Sequence, residues 1–359
     1  MPQRSTWLYI LFIGVLLAFI PFPTGLSTVG TDKADITVAT PLSRVLRRAY
    51  TYLDITPPRG LGQLFHYTKT ATPLSPSQPP PAINATMPKT PVYFLSHGGP
   101  NIMEDTQHPA YAKLQEIGRE ITQEVKPKAV VVFSAHWQGE RDTIEVNTAE
   151  SMGLIYDFYG FPAHYYDFKY PNKGSPELAE KLLGLFKNAG IKAEGVRRGL
   201  DHGVWAGFMC AFNPETNPLD VPVVQVSLFD TEDPDQHYRL GQAVSALRDE
   251  GIAIIGSGMA VHNLRDYQRA WRTPGPMPYA VSFDEALKDA AEQAPEVRQK
   301  AMSALLKRAD ARKAHPTFDH LLPIHVAAGA AGTEAGKQLW TLPEGSMSWA
   351  QFRFGKVAA

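Results

Sequence analysis

Three histidines leave three short apolar runs in the same manner. "PVYFL" leads into Ser96-His97-Gly98-Gly99-Pro100, "KAVVVFS" into Ala135-His136-Trp137, and "GIAIIGSGMAV" into His262-Asn263-Leu264. Each run is β-branched or apolar and is bounded by Gly or Pro, the pattern of a buried strand. Each histidine therefore falls just past the carboxyl end of a strand, the edge at which open α/β sheets bind their ligands. Gly98 and Gly99 are expected to let the chain turn with its backbone close to a bound ion. Two further segments add imidazoles. Asp201-His202-Gly203-Val204-Trp205 sets a carboxylate beside a histidine in a glycine turn, and "HPTFDHLLPIHVAAGAAG" carries His315, His320 and His325. Steps of five residues turn a helix through about 140° net, so at most one of these three is expected to face the site.

An imidazole-rich pocket of this kind suits a divalent transition metal, and neutral imidazole accepts Zn, Fe, Cu or Ni without choosing among them. The lone cysteine, Cys210, excludes an internal disulfide and any CxxC knuckle. Nitrogen and oxygen must hold the metal, and Cys210, within the apolar run 208–212, is expected to be a buried small hydrophobe. A zinc hydrolase working through metal-bound water would want a carboxylate general base, and no HExxH segment supplies one.

The elements that must position these residues alternate. The runs "PVYFL", "KAVVVFSA", "VPVVQVSL" and "GIAIIGSG" are separated by helical stretches at 109–124, 175–188 and 235–250. Their starts carry serine, proline or acidic residues. This order predicts an α/β fold: a single domain, residues 91–355, with a largely parallel central sheet flanked by helices. Residues 283–312, rich in Ala, Lys and Glu, read as an amphipathic covering layer. A net charge of −1 in 359 residues offers no basic face for nucleic acid.

Ahead of the domain stand two other segments. Residues 1–26 contain the uncharged apolar run 7–22, preceded by Arg4 and followed by Asp32, Lys33 and Asp35. It is slightly shorter than the roughly 20 residues of a comfortable membrane span. It is read as a single N-terminal transmembrane anchor with the amino terminus cytoplasmic, or alternatively as a signal segment whose cleavage would give a secreted protein. Residues 27–90, rich in Pro, Ser and Thr, read as a linker that includes His66 and the sequon Asn84-Ala85-Thr86. A start at Met87 would give a cytoplasmic protein without the anchor. Of the remaining histidines, His108 and His237 read as solvated, His164 as carrying no role in the site, and His315 as the entry to a helix. The aromatic loop 156–168, with Tyr159 near its middle, reads either as a wall for an aromatic substrate or as a packed surface loop.

In order along the chain, "SHGGP", "SAHW", "YDFYGFP", "DHGVW", "GSGMAVHNL" and "DHLLPIHVAAGAAG" resemble the motifs of class III extradiol ring-cleavage dioxygenases of the LigB type, above all their DOPA dioxygenase branch. The resemblance spans 91–355. It implies a non-haem iron(II), replaceable by zinc on isolation, held by His97, His136 and His320. The third ligand is then histidine, as in the DOPA branch, where protocatechuate-cleaving members use a carboxylate; Asp319, if helical, would point about 100° away from His320. The resemblance assigns His262 as the base that deprotonates a catechol. His202, with Asp201 beside it, becomes the second active-site histidine, which steadies oxygen or returns a proton. His325 is expected to support the third ligand. The implied substrates are a small aromatic diol, DOPA-like or related, and O2, and the implied product is a ring-opened semialdehyde. Two alternatives stand beside this reading: the zinc hydrolase, and a Memo-type interaction protein of similar fold.

Overall fold

A computed structural model describes residues 89–358 apart from Met152. The apolar run 7–22, the linker to residue 88 and the Asn84 sequon lie outside the described residues. Among the described residues no helix is long and apolar enough to cross a membrane.

The strands are β1 (Val92–Ser96), β2 (Ala129–Gln138), β3 (Thr143–Asn147), β4 (Lys192–Val196), β5 (Val223–Leu228), β6 (Ile252–Gly258), β7 (Val261–His262), β8 (Gly336–Trp340), β9 (Pro343–Glu344), β10 (Met347–Ser348) and β11 (Gln351–Phe354). The helices are α1 (Pro109–Arg119), α2 (Pro176–Asn188), α3 (His202–Ala211), α4 (Pro234–Val244), α5 (Tyr267–Trp271), α6 (Pro278–Ala291), α7 (Pro295–Leu305), α8 (Ala311–Ala314) and α9 (Leu322–Ala330).

An eight-stranded sheet runs in the order β4-β3-β5-β2-β6-β1-β11-β8. Its centre, β5-β2-β6-β1, is parallel throughout. These are the four strands expected from sequence. Their residues alternate between two cores: Val92, Phe94, Val131, Phe133 and Ile254 pack on one side, and Tyr93, Leu95, Val130, Val132 and Ile255 on the other. Successive strand side chains point to opposite faces, so continuous apolar runs are what a sheet covered on both sides requires. The outer strands are mixed. β3 is antiparallel to β5, β4 is parallel to β3, and β11 and β8 add antiparallel pairs beyond β1.

Register aligns the carboxyl ends. Ser96 of β1 lies opposite Gly258 of β6, and Ser134 of β2 opposite Ser257. His97, His136 and His262 therefore emerge at one edge. A small second sheet, β7-β10-β9, holds His262 opposite Met347.

Several helix starts follow the expected chemistry. The Ser175 hydroxyl accepts from Leu178 N–H at 3.1 Å at the start of α2, and the Asp233 carboxylate caps α4. Cys210 is buried in α3. Three histidines depart from their sequence readings. His108 is not solvated: its Nδ1 caps α1 by accepting from Ala110 N–H at 3.1 Å, and its Nε2 meets Glu344 at 2.9 Å. His237 is fully buried and donates to the Asp233 carbonyl at 2.8 Å. α4 is polar in composition, but its His237, Tyr238, Leu240, Gly241 and Val244 all turn inward. His315 ends α8 instead of starting a helix and is buried with Nε2 2.9 Å from the Ala260 carbonyl.

Candidate metal centre

β1 delivers His97 into a turn at Gly98, whose φ of +68° lies in the left-handed region. A Cβ at Gly98 would sit 2.1 Å from the Trp349 indole. The glycine thus accommodates an indole, where the sequence reading had it make room for an ion. His97 Nδ1 lies 2.6 Å from the Gly98 carbonyl, so that nitrogen carries the proton, and the buried Nε2 has no hydrogen-bond partner.

His136 lies within β2, and the start of α3 presses against its ring. A Cβ at Gly203 would stand 2.6 Å from His136 Cδ2, so only glycine allows this approach. His136 Nδ1 is 2.8 Å from Asp157 Oδ2. His320 occupies the turn that precedes α9, and its Nδ1 is 2.6 Å from Asp319 Oδ2. The Nε2 atoms of His136 and His320 face each other at 3.1 Å. One ligand atom each from His97, His136 and His320 fit within 4.8 Å of one another.

This donor set fits a metal ion. In all three histidines Nδ1 is spent on a carbonyl or a carboxylate, acceptors that only an N–H can satisfy. In the neutral rings three Nε2 lone pairs consequently converge. Burial holds His97 and His320 well below the ordinary histidine range, and the neighbouring imidazoles push the same way. Both present the neutral form that ligates. His136 moves upward: burial opposes its charge, but the Asp157 hydrogen bond and the charges of Asp201, Asp157 and Asp319 outweigh it. A proton on His136 is the competitor a metal must displace.

Two more imidazoles complete the cluster. His202 opens α3, with its ring centroid 4.1 Å from that of His136. Its Nδ1 and its backbone N–H reach Asp157 Oδ1 at 2.8 and 2.9 Å. Burial depresses the His202 pKa, and Asp157 only partly counters it. His262 stacks on His320 with centroids 3.6 Å apart and an interplanar angle of 12°. Burial, then the His320 and His315 rings, keep it well below the usual range. Burial would raise the Asp157 pKa, yet the hydrogen bonds from His136 and His202 hold it well below the carboxylate range.

The five histidines expected from sequence, His97, His136, His202, His262 and His320, are brought together. Four other expectations are corrected. Asp201 is not the partner of His202, which begins a helix and not a glycine turn. The buried Asp201 carboxylate accepts from the Ser134 hydroxyl at 2.7 Å, from Arg198 at 2.9 Å and from Gln225. It ties α3 to β2 and β5, and the carboxylate on His202 is Asp157. His325 does not support His320: it turns to the carbonyls of Leu321 and Met302 at 3.4 and 3.3 Å. Asp319 takes that role, because it and His320 lie in a turn where the 100° helical step does not apply. Tyr159 is 89% exposed, and its neighbour Phe158 is the aromatic residue against His202, with centroids 5.3 Å apart.

Asp157 and Asp319 were the functional carboxylates that sequence reasoning missed. Asp319 is adjacent to His320, and helical spacing would direct it away, but the two lie in a turn. Asp157 lies in "YDFYGFP", a segment whose composition signals its aromatic residues more than its carboxylate.

Histidines from five segments meet at the carboxyl edge of a parallel-centred α/β sheet, the edge at which such folds bind ligands, in an arrangement that could hold a metal ion. The chain belongs to the LigB family of class III extradiol dioxygenases: the family model described as the catalytic LigB subunit of aromatic ring-opening dioxygenase matches residues 85–351. Among its relatives, a protein of Beta vulgaris named 4,5-DOPA dioxygenase extradiol is 39% identical over 73% of this chain and 95% of its own length. An Escherichia coli K12 protein of the same name is 35% identical over 67% of this chain and 85% of its own. The crystal structure of an uncharacterized Escherichia coli K12 protein matches with a TM-score of 0.61 and 31% identity, covering 74% of this chain and all of that one.

Proposed function

We propose that this chain is an iron(II)-dependent extradiol dioxygenase that opens the ring of a DOPA-like catechol, inserting both atoms of O2 to leave a semialdehyde. The observation that carries the reading is the convergence of three Nε2 lone pairs, from His97, His136 and His320, beside two further imidazoles. His97, His136 and His320 would hold the metal. When bound, iron supplies the redox link between the diol and oxygen.

The remaining steps belong to side chains. His262, kept neutral and stacked on His320, accepts a hydroxyl proton as the diol approaches. His202, with Nδ1 engaged by Asp157, presents Nε2 for steadying oxygen or passing a proton. Phe158 supplies an apolar ring beside it. The DOPA-like substrate class is taken from the names of the relatives. The carboxylates argue against a zinc hydrolase. Asp157 spends both oxygens on imidazole N–H groups and is not free to act as general base, and Asp319 holds His320 Nδ1 through Oδ2. Five clustered histidines likewise favour an enzyme over an interaction protein. Membrane anchoring through residues 7–22 is proposed on the apolar run alone.

The test is anaerobic loading of the full chain with iron(II), followed by air and DOPA or a simple catechol. Oxygen uptake matched by a yellow semialdehyde, absent with zinc, supports the assignment. Iron binding with neither signal across several catechols refutes it.

A further inference from the structure

We propose that Asp157 is a positioning residue that sets the tautomers of His136 and His202 together, and so decides which nitrogen of His136 is offered to the metal. The inference rests on the metal-binding reading above. Asp157 Oδ2 takes only His136 Nδ1, at 2.8 Å, whereas Oδ1 takes His202 Nδ1 at 2.8 Å and the His202 backbone N–H at 2.9 Å. A carboxylate has no proton to give, so both rings must turn an Nδ1–H toward it, and in the neutral rings both Nε2 atoms are left as lone pairs.

The other two ligands are set locally. His97 uses the carbonyl of Gly98, and His320 uses the carboxylate of Asp319, each an adjacent residue. His136 alone depends on a side chain distant in sequence, in the loop between β3 and α2.

The asymmetry of the two oxygens makes the idea testable. Asp157→Asn keeps the shape but offers one acceptor and one donor. Two donors point at the Oδ1 position, one of them a backbone N–H that cannot change its role, so the amide oxygen settles there. The NH2 group then faces His136 Nδ1, which must accept. The His136 proton moves to Nε2, and the lone pair meant for the metal is lost. His202 keeps its tautomer.

The experiment uses the full chain as wild type, Asp157→Asn and Asp157→Glu. Cobalt(II) affinity is measured by chelator competition and by its visible spectrum. Histidine ring nitrogen shifts and thermal midpoints are recorded on metal-free protein in alkaline buffer. Asp157→Asn is expected to weaken cobalt binding about 10- to 100-fold, to protonate His136 Nε2 and to leave His202 unchanged, with Asp157→Glu restoring part of the affinity. Wild-type affinity in Asp157→Asn, or an unchanged His136 tautomer, overturns the proposal. A lowered midpoint without a tautomer change also overturns it, since that marks a merely structural role. If wild type itself takes no cobalt, the metal reading fails and the ring nitrogens decide: a His136 switch in Asp157→Asn sustains the role of Asp157, and no switch overturns it.

Discussion

Gly203→Ala should do more damage than its single methyl suggests. The new Cβ would lie 2.6 Å from His136 Cδ2 and 2.8 Å from Ser134 Oγ, about 1 Å inside normal contact. Neither neighbour can retreat. The His136 ring is held by Asp157 at 2.8 Å, and its backbone N–H donates to Ser134 Oγ at 3.1 Å. Ser134 Oγ in turn donates to the buried Asp201 at 2.7 Å. The Ser257 hydroxyl donates to the Gly203 carbonyl and pins α3 from the other side. The overlap must be relieved by moving the start of α3 or the ring. Overpacking of this kind costs about 1–3 kcal/mol, and a displacement near 1 Å at a catalytic group costs turnover about 100-fold. Gly184 is the control. It lies inside α2 with nothing within 4 Å of a built Cβ, so Gly184→Ala should stabilise by about 0.5–1 kcal/mol. Urea denaturation of the metal-free variants, with oxygen uptake by the iron-loaded ones, measures both effects. Equal stabilities and equal turnover for the two variants would refute the steric argument.

Other outcomes follow from the same geometry. His262→Ala should leave metal affinity near normal and lower turnover by about two to four orders of magnitude; loss of the metal, read by chelator competition, would make His262 a ligand. Burial lowers His237 and His315 to about 4, below the unfolded value near 6.5. The unfolded chain then binds more protons between those values, so stability is full above about pH 6.5 and falls as pH drops toward 4, by about 3 kcal/mol per histidine. In His237→Gln the acid loss seen by denaturant titration should shrink by that amount, and an unchanged pH slope would count against a neutral buried His237. Metal uptake should weaken on acidification, because His136 has its pKa raised and a proton there competes for the site. A cobalt affinity flat from mildly acid to alkaline pH would contradict that competition. Asp201→Ala should lower stability by about 3–5 kcal/mol by stripping Arg198 and Gln225 of a buried partner, and an unchanged denaturation midpoint would show that the tie is dispensable.

How far the sequence could be read varied with how local the cause was. The central strands were legible because a sheet buried on both faces writes itself as unbroken apolar runs, and β1, β2, β5 and β6 do so. β4 and β8, half-exposed and reading "KAEGV" and "GKQLW", carry no such signal. The burial of His237 is illegible in the sequence for a related reason. Helix composition reports polarity, but burial depends on which face another element covers, and all of the apolar side of α4 is covered.

The amino-acid order pointed to imidazoles gathering at one edge, since His97, His136 and His262 each stand at or beyond the end of a run that forms a parallel strand, β1, β2 or β6. The strand ends pointed to His97, His136 and His262, and the resemblance to the LigB-type motifs added His202 and His320. Tertiary structure decided the carboxylates. Asp157 reaches two histidines that lie 21 and 45 residues away, a meeting that no periodicity encodes. Asp201, adjacent to His202 in the chain, is drawn instead to Ser134 and Gln225 on neighbouring strands. Adjacency along a backbone sets where a side chain starts, and the packing around it sets which partner lies within 3 Å.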